Sequence, residues 1–150
     1  MKAEVVVGAV ILLVIAIAAA TEPVRRRRRA RKDRIARARQ ALEKDFIALG
    51  AATSALSQTY PSFADTSRRL AEASLAIRSA PAGISTGRSI YRGLSLKSGF
   101  DDRAMADAAA AFRELAGNPG QRDSRALLEL SRLFAQTAAD IRRLGAACRV

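Results

Sequence analysis

Three features of the sequence predict an all-α fold, with an N-terminal single transmembrane helix followed by a small antiparallel bundle of about four helices. The first is an apolar run from Ala3 to Ala20, AEVVVGAVILLVIAIAAA. The second is the recurrence of apolar residues at steps of three, four and seven over most of the remaining chain, the period of one helix face. The third is composition: Ala and Arg abound, aromatic residues make up 5% and Trp is missing, which favours helix over sheet.

Ala3 to Ala20 comprises 18 residues, of which only Glu4 is ionisable. At about 1.5 Å per residue a helix of this length covers roughly 27 Å, close to the roughly 30 Å of a bilayer's hydrocarbon core. Lipid offers the backbone no hydrogen-bond partner, so such a segment must bond internally as a helix. Lys2 and Glu4 cancel on the leading side, whereas Arg25 to Arg39 carries nine Arg and one Lys against one Asp. An excess of Lys and Arg marks the cytoplasmic flank. The expected placement is therefore the cell membrane, single-pass, with the amino terminus outside and the C-terminal domain cytoplasmic. The competing reading is a cleaved secretory signal ending at Ala18-Ala19-Ala20, but five consecutive arginines, Arg25, Arg26, Arg27, Arg28 and Arg29, oppose export and favour an uncleaved anchor. The chain divides into an anchor over 1–22, a basic helix start over 23–39 and a bundle over 40–150.

The net charge is +12. The segment from Arg25 to Arg39 holds +9 of it, so the bundle itself is only mildly basic. A single cysteine, Cys148, rules out an internal disulfide framework and suits a reducing compartment.

Thr21-Glu22-Pro23 reads as a short break at the membrane exit, with Pro23 opening a new helix. From Arg25 to about Gln58 the pattern is helical. Ile35, Leu42, Leu49 and Leu56 recur every seven residues, with Phe46 and Tyr60 four beyond Leu42 and Leu56. This is a one-sided seam, fit for a bundle or a coiled coil. Arg39 and Thr53 stand where apolar partners belong, which favours a bundle. Tyr60-Pro61 ends the helix. Ser62 with Asp65 resembles a capping pair for a second helix over Phe63 to Ser79, with Phe63, Leu70, Ala73 and Ile77 inward. Pro81 and Gly83 stop it.

Residues 80–100 hold four of the nine glycines and read as a long loop, part of which packs on the bundle or forms a short helix around Ser89. GISTGRS, Gly83 to Ser89, is not a phosphate loop: it is one residue short, Arg88 replaces lysine and no apolar strand precedes it. Asp101 and Asp102 begin a third helix to Ala116, where carboxylates meet the positive end of the dipole; Met105, Ala108, Phe112 and Leu115 face inward. Gly117-Asn118-Pro119-Gly120 ends it. The last helix, Arg122 to about Ala147, repeats Leu127, Leu130, Phe134, Thr137, Ile141, Leu144 and Cys148. Leu128 and Leu133 widen this stripe, so the helix is expected at the centre of the bundle.

Chemistry-bearing residues are sparse. Histidine, the commonest general base and metal ligand, does not occur. Asp65, Glu72, Glu114, Glu129 and Asp140 read as solvated faces beside arginines, and Cys148 as a packed thiol rather than a nucleophile. The chain is therefore expected to be no enzyme and to need no metal or other cofactor.

A single span followed by a cytoplasmic helical bundle resembles the LemA-type membrane proteins in outline. Tyr60-Pro61 with Ile84, Arg88 and Tyr91 is similar to a stretch of that family. The long polar helix pair that precedes that stretch in the family is absent, and Pro81 and Gly83 interrupt what would be helix, so no family is assigned.

The expected function is a membrane-anchored scaffold or adaptor that binds a protein partner or a second copy of itself at the cytoplasmic face. Leu42, Phe46, Leu49, Leu56, Leu127, Leu130, Phe134, Ile141 and Leu144 form the seam, toward a partner or within the bundle. The alternative is a polybasic tether for anionic lipid or nucleic acid, in which Arg25 to Arg29, Arg31 and Lys32 contact lipid headgroups or nucleic-acid phosphates; each basic residue near an anionic membrane surface is worth roughly 1 kcal/mol. Nucleic acid is disfavoured as the partner, since no aromatic residues interleave with the arginines to stack on bases.

Overall fold

The computed structural model describes residues 2–81, 84–94 and 99–149, with the side-chain surroundings of 2–7 and 84–86 left aside. Among the described residues the chain forms five helices and no strand: α1 (Lys2–Leu56), α2 (Phe63–Ser79), α3 (Ile84–Gly93), α4 (Asp102–Ala116) and α5 (Ser124–Cys148). Two compact units share these elements, Met1–Asp33 and Arg34–Val150.

In the first unit α1 is long and apolar enough to cross a membrane. Val10, Ile11, Leu12, Leu13, Val14, Ile15 and Ile17 are each more than half exposed, so none of them is used in packing within the chain. The break expected at Thr21-Glu22-Pro23 does not occur: Pro23 lies inside α1. Proline removes one N–H from the helix ladder. Here both flanks favour helix, and local side chains brace the site, with Thr21 Oγ1 donating to Ala18 O at 3.1 Å and Arg26 paired to Glu22 at 3.0 Å.

The second unit is the bundle. From Ile35 onward α1 buries Ala38, Leu42, Phe46, Leu49, Thr53 and Leu56 along one stripe. Thr53, which interrupts the apolar period, is fully buried, with Oγ1 donating to Leu49 O at 2.8 Å. Its hydroxyl is satisfied by the preceding turn and the methyl packs as a valine would. Arg39, the other interruption, reaches across to α2 and donates to Ile77 O, Arg78 O and Pro81 O at 3.1, 2.9 and 3.2 Å. These lie at the end of α2, whose last carbonyls have no partner inside the helix. The guanidinium is thus a C-terminal cap supplied by a neighbouring helix. Glu43–Arg78 at 2.8 Å and Ser67 Oγ to Gly50 O at 3.1 Å continue the antiparallel contact.

The Ser62–Asp65 capping pair expected at the start of α2 does not form. Ser62 has helical backbone angles and makes no side-chain cap bond, and Asp65 pairs with Arg68 at 2.7 Å instead. Asp101 does cap α4, accepting from Ala104 N at 2.7 Å. Its neighbour Asp102 pairs with Arg142 of α5 at 3.0 Å. Met105 is buried in α4 with Ala109 and Ala116, while Ala108, Phe112 and Leu115 are partly buried against the core. Ser131 Oγ donates to Ala109 O at 2.6 Å and fastens α4 to α5.

An aromatic row crosses the bundle from Tyr60 to Phe63, Phe112 and Phe134, with successive ring centroids 5.3, 5.4 and 5.3 Å apart. Tyr60 donates its hydroxyl to Gln121 Oε1 at 3.2 Å. The α1–α2 turn is thereby joined to the α4–α5 turn.

Within residues 80–100 the short helix expected around Ser89 forms. Ile84–Gly93 form α3, which docks by close approach. A Cβ on Gly87 would stand 2.8 Å from Ile35 Cγ2 and 3.0 Å from Cys148 Sγ, and one on Gly145 2.9 Å from the Tyr91 ring. Arg88 Nε donates to Cys148 O at 3.1 Å. Ile90, Leu94 and Phe100 are buried. Gly83 and Leu96 lie outside the described residues.

Candidate functional site

The seam and the basic collar have different fates. Leu42, Phe46, Leu49, Leu56, Leu127, Leu130, Phe134, Ile141 and Leu144 are all buried in the core of one chain. Their use is intramolecular, and a partner cannot reach them while the bundle is folded. Arg25, Arg26, Arg27, Arg28, Arg29 and Lys32 are exposed and Arg31 is half-buried. Leu128, expected to widen the inner stripe of α5, is half exposed instead. Leu75 of α2 and Ile47 of α1 are the other large apolar side chains that the described part of the bundle leaves in solvent.

A second polar site was not apparent from composition. Asp140, expected on a solvated face, is only 2% exposed. Its Oδ1 accepts from Arg143 Nη1 at 2.6 Å and its Oδ2 from Gln136 Nε2 at 3.3 Å. Facing it from α1 is Asp45, whose Oδ2 is buried and meets no donor among the described residues. Two carboxylates only accept hydrogen bonds, so a bond between them requires a proton. Asp140 already has two donors, and the proton belongs on Asp45. Desolvation, then the hydrogen bond to Asp140 and its negative charge, push the Asp45 carboxyl up to about 7, against the opposing pull of Arg143.

Spacing could have found this pair. Asp140 follows Thr137 by three and precedes Leu144 by four, while Asp45 follows Leu42 by three and precedes Leu49 by four. Each therefore stands at the edge of a buried stripe rather than on the opposite face.

Above the pair a groove of about 460 Å³ opens between α1 and α5, lined by Arg34, Arg37, Ala38 and Ala41 on one side and Asp140, Arg143, Ala146 and Ala147 on the other. A smaller cavity of about 210 Å³ between α2 and α3 is lined by Ala73, Ile77, Ile90 and Leu94 with other small residues, and no charged side chain reaches it. Among the described residues there is no group of three or more His, Cys, Asp or Glu side chains placed to hold a metal. Cys148 is a buried thiol outside any disulfide among the described residues. No family model, no curated protein and no solved structure matches this chain.

Proposed function

We propose that this chain is a single-pass membrane-anchored helical adaptor whose arginine collar engages the anionic surface of the inner leaflet. In this reading the amino terminus lies outside, and the bundle stands in the cytoplasm next to the lipid headgroups. The carrying observation is the abrupt change along α1 from side chains that are apolar all round to side chains that are basic all round, both exposed. A helix apolar on every side without a protein partner suits lipid, and a ring of arginines immediately beyond it suits the headgroup layer. Each of these cations contributes on the order of 1 kcal/mol near an anionic surface. Because the seam is consumed by the bundle, the arginines are the most distinctive chemistry left on the surface.

Flotation of the full chain with liposomes tests the collar. Replacing Arg25 to Arg29 by Gln is expected to abolish the difference between liposomes rich in anionic lipid and neutral ones; an unchanged preference overturns the lipid contact. Protease added to intact spheroplasts tests orientation. The bundle should survive, and its digestion from outside reverses the topology.

A second reading, a protein partner or a second copy docking on the bundle, is favoured by Leu75, Leu128 and Ile47, which are 63, 50 and 47% exposed. Co-precipitation of differently tagged copies should then be lost in Leu75→Glu or Leu128→Glu, and not in Arg25–Arg29 variants.

A further inference from the structure

The groove between α1 and α5 is assembled from two regular rows. Arg34, Arg37 and Ala41 follow at steps of three and four on α1; Asp140, Arg143 and Ala147 do so on α5. That spacing puts each row on one side of its helix. Three guanidiniums, those of Arg34, Arg37 and Arg143, border a floor of alanines small enough to leave about 460 Å³ open. Only Arg143 is neutralised, by the buried Asp140. Asp45, its carboxyl pushed up to about 7, adds a second negative charge only as pH rises through that value. Arg34 and Arg37 have no carboxylate partner among the described residues, so while Asp45 is protonated the groove has a surplus of two positive charges.

We propose that this groove binds a phosphate group between Arg34, Arg37 and Arg143, supplied either as a free ion or as the headgroup of an acidic phospholipid. Planar guanidinium forks match phosphate oxygens in pairs, and bonds of this kind are charge-assisted and strong. The open volume lies within the range of ordinary ligand sites and accommodates the phosphate with an attached glycerol. Arg143 is held in place from beneath by Asp140, which is a reason for burying a carboxylate there. The carboxyl pair then sets the charge under the ligand. With one proton shared, its single negative charge is matched by Arg143; without that proton a second negative charge opposes the anion. The groups bearing on the pair are Arg143 and Gln136, both from α5. The site is independent of the lipid contact proposed for Arg25 to Arg29, and each can fail without the other.

The test is arginine-by-arginine protection from phenylglyoxal in the full chain, held in nanodiscs of phosphatidylcholine with or without inorganic phosphate, or in nanodiscs containing phosphatidic acid. Protection of Arg34, Arg37 and Arg143 by inorganic phosphate while Arg25 to Arg29 keep reacting supports the site with a free ion as its source. Protection confined to phosphatidic acid supports the headgroup, provided it persists when Arg25 to Arg29 are replaced by Gln; its disappearance there makes it a consequence of the collar and overturns the site. Protection by neither also overturns it. Ala41→Glu puts a carboxylate into the groove from a half-buried position and is expected to reduce protection about tenfold, the scale of one charge-assisted bond; full protection in that variant refutes the assignment. Asp45→Asn keeps the position neutral and should bind phosphate about threefold more tightly than the unsubstituted chain at about pH 8. Equal or weaker binding refutes the coupling to the carboxyl pair.

Discussion

Residues 8–33 and 34–56 belong to the same helix, yet the first stretch has no buried residue and the second has seven. The seven are Ile35, Ala38, Leu42, Phe46, Leu49, Thr53 and Leu56, separated by steps of three or four. A helix can thus exist for two unrelated reasons along one chain. The first stretch contains a segment long and apolar enough to cross a membrane, followed by arginine, a good helix former, and neither needs a buried face to be helical. In the second, a stripe of side chains leaves water for a core, and that burial supplies the stability. Only the second stretch has a face, so only there does the identity of each residue decide the fold.

Substitutions that separate the two stretches sharpen this contrast. The largest effect is expected at Phe46, which is fully buried with its ring centroid 5.8 Å from that of Phe100. Phe46→Ala should destabilise the bundle by about 3–5 kcal/mol in urea unfolding of the full chain in detergent. Ile15→Ala, on the same helix but outside the core, should change it by less than about 0.5 kcal/mol. Equal effects would mean that residues 8–33 also pack against protein.

Next in size is Gly145→Ala. The added methyl meets the Tyr91 ring at 2.9 Å, and overpacking of this kind costs about 1–3 kcal/mol. A thermal shift smaller than that of an exposed control such as Ala135→Ser would undo the docking of α3 on α5.

Asp45 gives a pH dependence of known sign. Its carboxyl is raised to about 7 in the folded chain. Between the ordinary aspartate range and that value the native state retains a proton that the unfolded chain has lost. Stability is therefore highest on the acid side, falls as pH rises through about 7 and then levels. The side chain is half-buried and solvent screening reduces the effect, so the fall should amount to about 1–2 kcal/mol. Asp45→Asn should flatten the curve and leave the variant the more stable form above neutrality. A variant that loses stability at alkaline pH would reassign the proton. The smallest effect is expected from replacing Arg25 to Arg29 by Gln: bundle stability should stay within about 0.5 kcal/mol, as for surface positions that make no core contact.

The parts of the fold legible in the chain were those that repeat. The seven-residue recurrence from Ile35 to Leu56 and the run from Leu127 to Cys148 identify buried faces because helical period and burial are tied locally. Residues that break a pattern were harder to assign. Arg39 was a flaw in the seam, but it closes the end of α2, since the carbonyls it serves belong to a helix that follows it only after a turn. Leu128 fits the apolar count of α5 but not its geometry: beside Leu127 it is turned away from the core and remains half exposed. Glycine is a poor helix former, so 80–100 reads as a loop with at most a short helix around Ser89, and α3 is that helix, running from Ile84 to Gly93. Gly87 is a point where α3 and Ile35 approach too closely for any side chain.

By itself the sequence determined that the chain is helical, that one apolar segment is long enough to cross a bilayer and which stripes turn inward. Each of these depends on residues within a few turns of one another. Tertiary structure alone decided that Asp45 and Asp140 meet, that the Asp45 carboxyl is raised to about 7, and that Arg34 and Arg37 share a groove with Arg143. Those groups come from opposite ends of the bundle sequence and face one another only once α1 and α5 have packed. The free energy of a carboxyl group depends on what surrounds it in space, and neighbours along the chain do not specify that.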